Sequence, residues 1–189
     1  VPQYIYGETP NAFVAEMASQ IPAGPVLCLA EGEGRNAVHL ATLGHRVTAV
    51  DQSEAGLAKA RRLAAARGVE IETVLADLGN FTIEPGVWSG IVTTFAHLPP
   101  AIRCNIHGQV VCGLRPGGVF VLEAYAQAQL AFDTGGPKSP ELLMTLASLR
   151  TELAGLELLV GREIEREVIE GDGHTGRGAV VQILARRNE

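Results

Sequence analysis

The chain has 189 residues, 47% hydrophobic and 19% charged, a composition that builds a core and excludes a disordered chain. Its formal net charge of −6 argues against a nucleic-acid partner, because such binding draws on phosphate contacts from a basic face, and Arg61 and Arg62 sit on a helix that reads as solvated. No apolar run is long enough to span a bilayer, and no signal-like segment precedes an apolar stretch, so a cytoplasmic protein is expected. Cys28, Cys104 and Cys112 lack metal-ligand spacing; they read as reduced thiols, and no metal site is expected.

In chain order, "PVLCLA" (25–30) is a continuous apolar run, as in a strand covered on both faces. Residues 34–43 then read as a helix ending near Gly44, and "RVTAVD" (46–51) as the second strand. Ser53 caps an Ala-rich helix that Gly68 stops. "IETVLAD" (71–77) and "GIVTTFAHL" (90–98) are the third and fourth strands. Pro99-Pro100 opens a helix running to about Gly113, "LRPGG" (114–118) is a turn, and "VFVLEAY" (119–125) is the fifth strand. Residues 126–138 are a loop without periodicity. Residues 139–155 carry an N-cap, a first-turn proline and a terminal glycine, and read as a helix. Two strands, 156–170 and 179–187, flank the glycine-rich turn "GDGHTGRG" as an antiparallel hairpin. Alternating strands and helices imply a parallel sheet with right-handed crossovers.

The chemistry should sit after the first strand, since open α/β sheets bind ligands beyond the carboxyl ends of their strands. There, Gly32 and Gly34 allow close backbone approach and positive φ, and the helix beginning near Arg35 and Asn36 aims its N–H groups at the same place. Two cofactors compete for this loop. "GEGRNA" fits the dinucleotide pattern G-x-G-x-x-G/A, with Asp51 lying 19 residues beyond Gly32, so a small NAD(P)-dependent reductase is one reading. However, Glu31 and Glu33 flank the glycines and would repel a pyrophosphate. The other cofactor is S-adenosylmethionine (SAM), which has no phosphate. Asp51 can accept both ribose hydroxyls, Asp77 the adenine amino group, and an N–H near Leu78 can donate to the ring. Either aspartate could instead be only a helix cap.

The chain resembles the class I SAM-dependent methyltransferases over nearly its whole length. The anchors are "VLCLAEGEGRNA", "VTAVDQS", "ADL", the "LRPGG" turn and the terminal hairpin; "YGETPN" (6–11) and "EGRNA" are similar to the tellurite-resistance-type and thiopurine-type small-molecule members. The resemblance implies a Rossmann-like α/β sandwich with a seven-stranded, mostly parallel sheet and a C-terminal antiparallel hairpin. It implies one domain: an arm and helix (1–24), a cofactor-binding core (25–125), and a substrate-side loop, helix and hairpin (126–189). Methyl transfer to a small, soft acceptor, a thiol or chalcogen oxyanion, would proceed by in-line displacement. A non-catalytic SAM-binding regulator is a further alternative, because Cys28 stands where the family usually has Asp or Glu, and Ala30 where it has Gly. Glu31 is expected to compensate.

By the resemblance and the strand ends together, Ala30, Glu31, Gly32, Gly34, Arg35 and Asn36 form the cofactor loop, joined by Asp51, Gln52, Asp77, Leu78 and Phe95. Tyr6 and Asn11, before the first helix, are either a packing arm or a lid over the methionine end. His97, ending the fourth strand, is a base, a cofactor contact or a structural histidine. His174 and Arg177 lie in the hairpin turn, which overhangs the substrate pocket if the sixth strand runs parallel to the others; otherwise they are an exposed turn. Glu123 and Tyr125 end the fifth strand on the ligand side and are candidates to line the pocket.

Overall fold

The run PVLCL forms strand β1 (Pro25–Leu29) of the computed structural model, which describes residues 4–171 and 174–188, with the backbone alone of His174. Successive side chains leave a strand on opposite faces. Val26 and Cys28 join one buried cluster and Leu27 and Leu29 the other. Both faces are covered, which is why the strand is apolar throughout.

Strand β1 pairs parallel with β2 (Arg46–Asp51) on one side and β4 (Trp88–Thr94) on the other. Strand β3 (Glu72–Leu75) lies outside β2, and β5 (Leu114–Tyr125) beyond β4, all parallel. Strand β7 (His174–Arg187) runs antiparallel to β5, and β6 (Leu156–Glu170) antiparallel to β7. The seven-stranded order is β3-β2-β1-β4-β5-β7-β6. Two reversals leave β6 running with the parallel strands, so Glu170 ends on the same edge as Leu29 and Asp51.

Helices α1 (Ala12–Met17), α2 (Arg35–Thr42) and α3 (Glu54–Ala66) pack on the face holding Cys28. Helices α4 (Pro100–Gly113) and α5 (Leu146–Glu152) cover the face holding Leu27. No helix among the described residues is long and apolar enough to cross a membrane.

Several boundaries depart from the sequence reading. Strand β3 ends at Leu75: the Ala76 N–H still reaches the Asp51 carbonyl, but at Asp77 the chain turns, with the Gly79 N–H donating to Asp77 Oδ1 at 2.8 Å. Strand β4 ends at Thr94 because Phe95 adopts φ +52°. The "LRPGG" segment is a bulge inside β5, between the pairs Trp88–Leu114 and Gly90–Val119. Residues 139–155 are not one helix. A 3-10 turn (Pro140–Leu142) gives way to extended chain, where the Met144 N–H donates to the Tyr125 carbonyl at 3.1 Å, and only then does α5 begin. The hairpin is tighter than expected, with β6 reaching Glu170 and β7 starting at His174.

Helix α5 is fastened to α4 by a buried charge cluster. Arg103 donates to Glu152 through Nη2 at 2.9 Å, and His107 Nδ1 donates to the other oxygen at 2.6 Å. Burial pushes the Glu152 carboxyl up, but the hydrogen bonds from His107 and Arg103 outweigh it and hold the group at about 2. A carboxyl depressed on folding contributes stability above its unfolded pKa and loses it as pH falls toward the folded one. This contribution is therefore complete above about pH 4.5 and fades toward about pH 2. The urea midpoint of the wild type should fall more steeply over that window than that of Glu152→Gln. Equal slopes would remove Glu152 from the acid response.

Candidate active site

Strands β1, β2 and β4 end side by side, and the chain leaving two of them is strained. Ala30 (φ +51°) and Phe95 (φ +52°) both occupy the left-handed region without being glycine. Such conformations cost on the order of 1–3 kcal/mol each and gather at functional sites. Between β1 and α2, Gly32 (φ +63°) has open space where a Cβ would stand. Gly34 differs: a Cβ there would lie 2.5 Å from the Ala60 Cβ, so this glycine lets α2 pack against α3.

The turn is held from two directions. The Gly32 N–H donates to Asp51 Oδ2 and the Ser53 N–H to Asp51 Oδ1, both at 2.8 Å. A carboxylate oxygen has two acceptor sites, so each Asp51 oxygen keeps one for a ligand. Glu31 Oε1 accepts the Asn36 and Ala37 N–H groups at 2.9 and 2.7 Å, capping the first turn of α2. Burial pushes the Glu31 carboxyl up to about 7, opposed by the Ala37 N–H, Arg35 and the Asn36 N–H and reinforced by Asp51.

Around this turn lies a cavity of about 510 Å³, within the range of small-molecule sites. Ala30, Glu31, Gly32 and Arg35 form its floor, Asp51 and Gln52 one wall, and Phe95 with Tyr6 line it as well. The sequence had pointed to these eight. It had not pointed to Ile5, Thr94, Glu33 or Lys59, which also line it. Glu33 accepts the Ile5 N–H at 2.7 Å and pairs with Lys59, fastening the arm to α3. The arm also presses on the hairpin, since a Cβ on Gly171 would collide with the Ile5 carbonyl oxygen.

Other expected residues stand outside the cavity. Asn36 donates to Thr94 Oγ1 at 3.0 Å and accepts the Asn11 N–H at 2.9 Å, bracing the wall from behind. Asn11 and Glu123 do not line it. They belong to a sealed network in which Asn11 Nδ2 donates to Glu123 and Glu170, both at 2.7 Å. Arg166 bridges the same two carboxylates, Gln182 donates to Glu123, and Arg35 pairs with Glu170. Leu78 packs in the core and Asp77 is exposed in its turn. Because β3 stops short, the structure does not bring these two to the cavity.

The expected catalytic side chains are dispersed. His97 does not line the cavity; it stacks on Tyr125 at 5.6 Å, and its Nδ1 donates to the Leu142 carbonyl at 3.0 Å. Tyr125 is wholly buried, and burial pushes its hydroxyl up to about 12. Arg177 is exposed and pairs with Glu165 at 2.8 Å. His174 pairs with Glu170 in the hairpin register, at the ligand-side end of the sheet as the topology predicted; its side chain lies outside the described residues.

These contacts separate the two cofactors. A pyrophosphate would need the N–H groups at the start of α2. Glu31 already occupies them, and Glu33 and Asp51 add two more carboxylates to the lining. An acidic cavity with two open acceptor sites on Asp51 suits instead a ribose diol beside a cationic group, as in SAM. The reductase reading is not favoured.

Comparison with known proteins agrees. Residues 26–118 match the methyltransferase-domain family. A carboxy-S-adenosyl-L-methionine synthase from Geobacter metallireducens is 37% identical over 79 residues, spanning 40% of this chain and 32% of that protein. Among solved structures, one described under the conversion of a disulfide bond into a thioacetal group during echinomycin biosynthesis superposes with a TM-score of 0.75 at 24% identity, covering 99% of this chain and 84% of its own. TehB from Haemophilus influenzae superposes with a TM-score of 0.73 at 23% identity, covering 95% and 63%. Residues 26–118 are thus similar to the methyltransferase-domain family, and the chain has the fold of the solved SAM-dependent methyltransferases.

Proposed function

We propose that the protein is a SAM-dependent methyltransferase, with residues 1–189 as one domain, acting on a small, soft acceptor such as a thiol or chalcogen oxyanion. The observation that carries the cofactor assignment is Asp51, whose two oxygens each accept one backbone N–H and each keep a site for the ribose diol. Bound SAM supplies a methyl group activated by a sulfonium. The residues of this chain bind and align. Asp51 holds the ribose, the Ala30–Gly32 turn lets the ligand approach the backbone, and Ile5 and Tyr6 cover the cavity and exclude water. Alignment of nucleophile, methyl and sulfur can supply about 7–11 kcal/mol of the barrier. A soft anion needs little proton removal, which fits a cavity whose described lining holds no histidine. The exposed thiols Cys104 and Cys112 fit a reducing, cytoplasmic setting.

The test is thermal unfolding with SAM, S-adenosylhomocysteine or NADH. A ligand at 100 times its dissociation constant adds about 2.7 kcal/mol, a rise of about 5–11 °C for a domain of this size. The first two should give that rise and NADH none. The acceptor is then sought among small thiols and chalcogen oxyanions. Turnover of RNA or protein with none of these would overturn the acceptor assignment.

A further inference from the structure

Arg35 is a cation in the cavity lining that the cofactor assignment leaves without a role. It is 6% exposed and opens α2 at the floor of the cavity. Its Nη2 donates to Glu170. Its Nη1 is buried and has no acceptor among the described residues. A buried guanidinium nitrogen without an acceptor is costly, and it calls for one from outside the protein.

The sheet order puts this group away from the ribose. Strand β1 stands between β2 and β4, and Asp51 ends β2. Asn36, next to Arg35, donates to Thr94 at the end of β4, and Arg35 reaches Glu170 on β6, three strands beyond β4. Thr94 and Phe95 line the cavity on the same side. The nearby acids are engaged elsewhere. Glu33 holds the Ile5 N–H and Lys59, and Glu31 is attracted to Arg35 but gives Oε1 to the Asn36 and Ala37 N–H groups. In the sealed network Arg35 and Arg166 face Glu123 and Glu170, so charge is balanced and no surplus carboxylate is left for Nη1.

We infer that the methyl acceptor is an anion and that Arg35 Nη1 holds one of its oxygens. The acceptor class is then a thiol that carries a carboxylate, or a chalcogen oxyanion, and not a neutral thiol. The inference rests on the methyltransferase reading. Glu170 fixes the other end of the guanidinium, so the free nitrogen is preset for such an oxygen. The acceptor's sulfur or chalcogen forms the bond to the methyl carbon as the bond from that carbon to the sulfonium breaks, and the electron pair of the broken bond stays on the departing thioether sulfur. A thiol acceptor enters as the thiolate, its proton already lost to solvent.

Calorimetry on the protein saturated with S-adenosylhomocysteine tests this with mercaptoacetate, with 2-mercaptoethanol, its neutral counterpart, and with sulfite as a stand-in for a chalcogen oxyanion. Mercaptoacetate or sulfite should bind roughly tenfold or more tighter than 2-mercaptoethanol, and which of them does so identifies the source of the anion. Arg35→Lys keeps a cation for Glu170 without the second nitrogen, and should lose that preference. Should that variant fail to fold, nitrogen NMR of the wild-type arginine side chains serves instead: the preferred anion should shift a guanidinium signal that 2-mercaptoethanol leaves in place. Equal or absent binding of the three probes, an unchanged preference in Arg35→Lys, or no such NMR shift would overturn the inference. So would a loss of S-adenosylhomocysteine affinity in Arg35→Lys that spares 5′-methylthioadenosine, which lacks the amino-acid end, because the nitrogen would then hold the cofactor's own carboxylate. Each of these leaves the methyltransferase reading standing, whereas failure of S-adenosylhomocysteine to bind the wild type would overturn both.

Discussion

Replacing Glu123 with alanine should cost about 3–5 kcal/mol, the range for breaking a buried ion pair from one side. Glu123 is 0% exposed and accepts from Asn11, Arg166 and Gln182. Its loss leaves the Arg166 guanidinium, 16% exposed, to share Glu170 with Arg35. Two cations then face one carboxylate in a site with little water. For a domain of this size the melting temperature should drop by about 6–20 °C. Glu123→Gln, which still accepts from Asn11, should lose less. A drop for Glu123→Ala no larger than that of an exposed control such as Glu167→Ala would show that the network contributes little to stability.

The second large effect is on binding. Asp51→Ala removes the acceptor assigned to the ribose and should weaken S-adenosylhomocysteine binding by about 1.5–3 kcal/mol, or roughly 10- to 150-fold, the range for charge-assisted hydrogen bonds. Part of the loss comes through the turn, because the Gly32 and Ser53 N–H groups lose their partner. Asp51→Asn keeps one acceptor oxygen and should fall between. Calorimetry on folded variants measures both, and unchanged affinity in Asp51→Ala would remove this residue from the site.

Much of this architecture was legible in local pattern. The doubly covered strands announce themselves as apolar runs, Ser53 and Pro100 mark helix starts, and the glycine pair marks the turn. What was not legible depends on contacts distant in sequence. The stretch "ELLMTLASL" has helical spacing of its apolar residues, yet residues 143–145 are extended because Met144 bridges to Ala126 beside the end of β5. No local pattern carries that bridge. Lys59 reads as a solvated position on an Ala-rich helix, and only the fold shows that its partner is Glu33, 26 positions earlier. Asp77 leaves the strand for a smaller reason. Its neighbours favour a strand, but the Asp77–Gly79 turn ends pairing before the aspartate reaches the sheet edge. Glu31 was the informative oddity. The sequence set this acid against a pyrophosphate and in place of the acid missing at Cys28, and the structure has it capping the helix that the loop opens.

The clasp between the N-terminal arm and the last hairpin also bears on how the protein is made. Asn11 meets Glu170 across 159 positions, and Arg35 meets the same glutamate across 135. On the ribosome, the arm and the cofactor turn emerge well before Glu170 and wait for that whole separation to be made before their partner exists. Contacts of such separation carry a large loop-closure cost and form late. A nascent chain ending at β5 can assemble the parallel core and the Asp51 turn, but it leaves Asn11 and Arg35 without Glu170 and leaves the arm without the Gly171 surface it rests on. Full closure of the cavity thus waits for the last hairpin, and ligand-dependent protection of the arm from protease would report that the hairpin has been made and has docked.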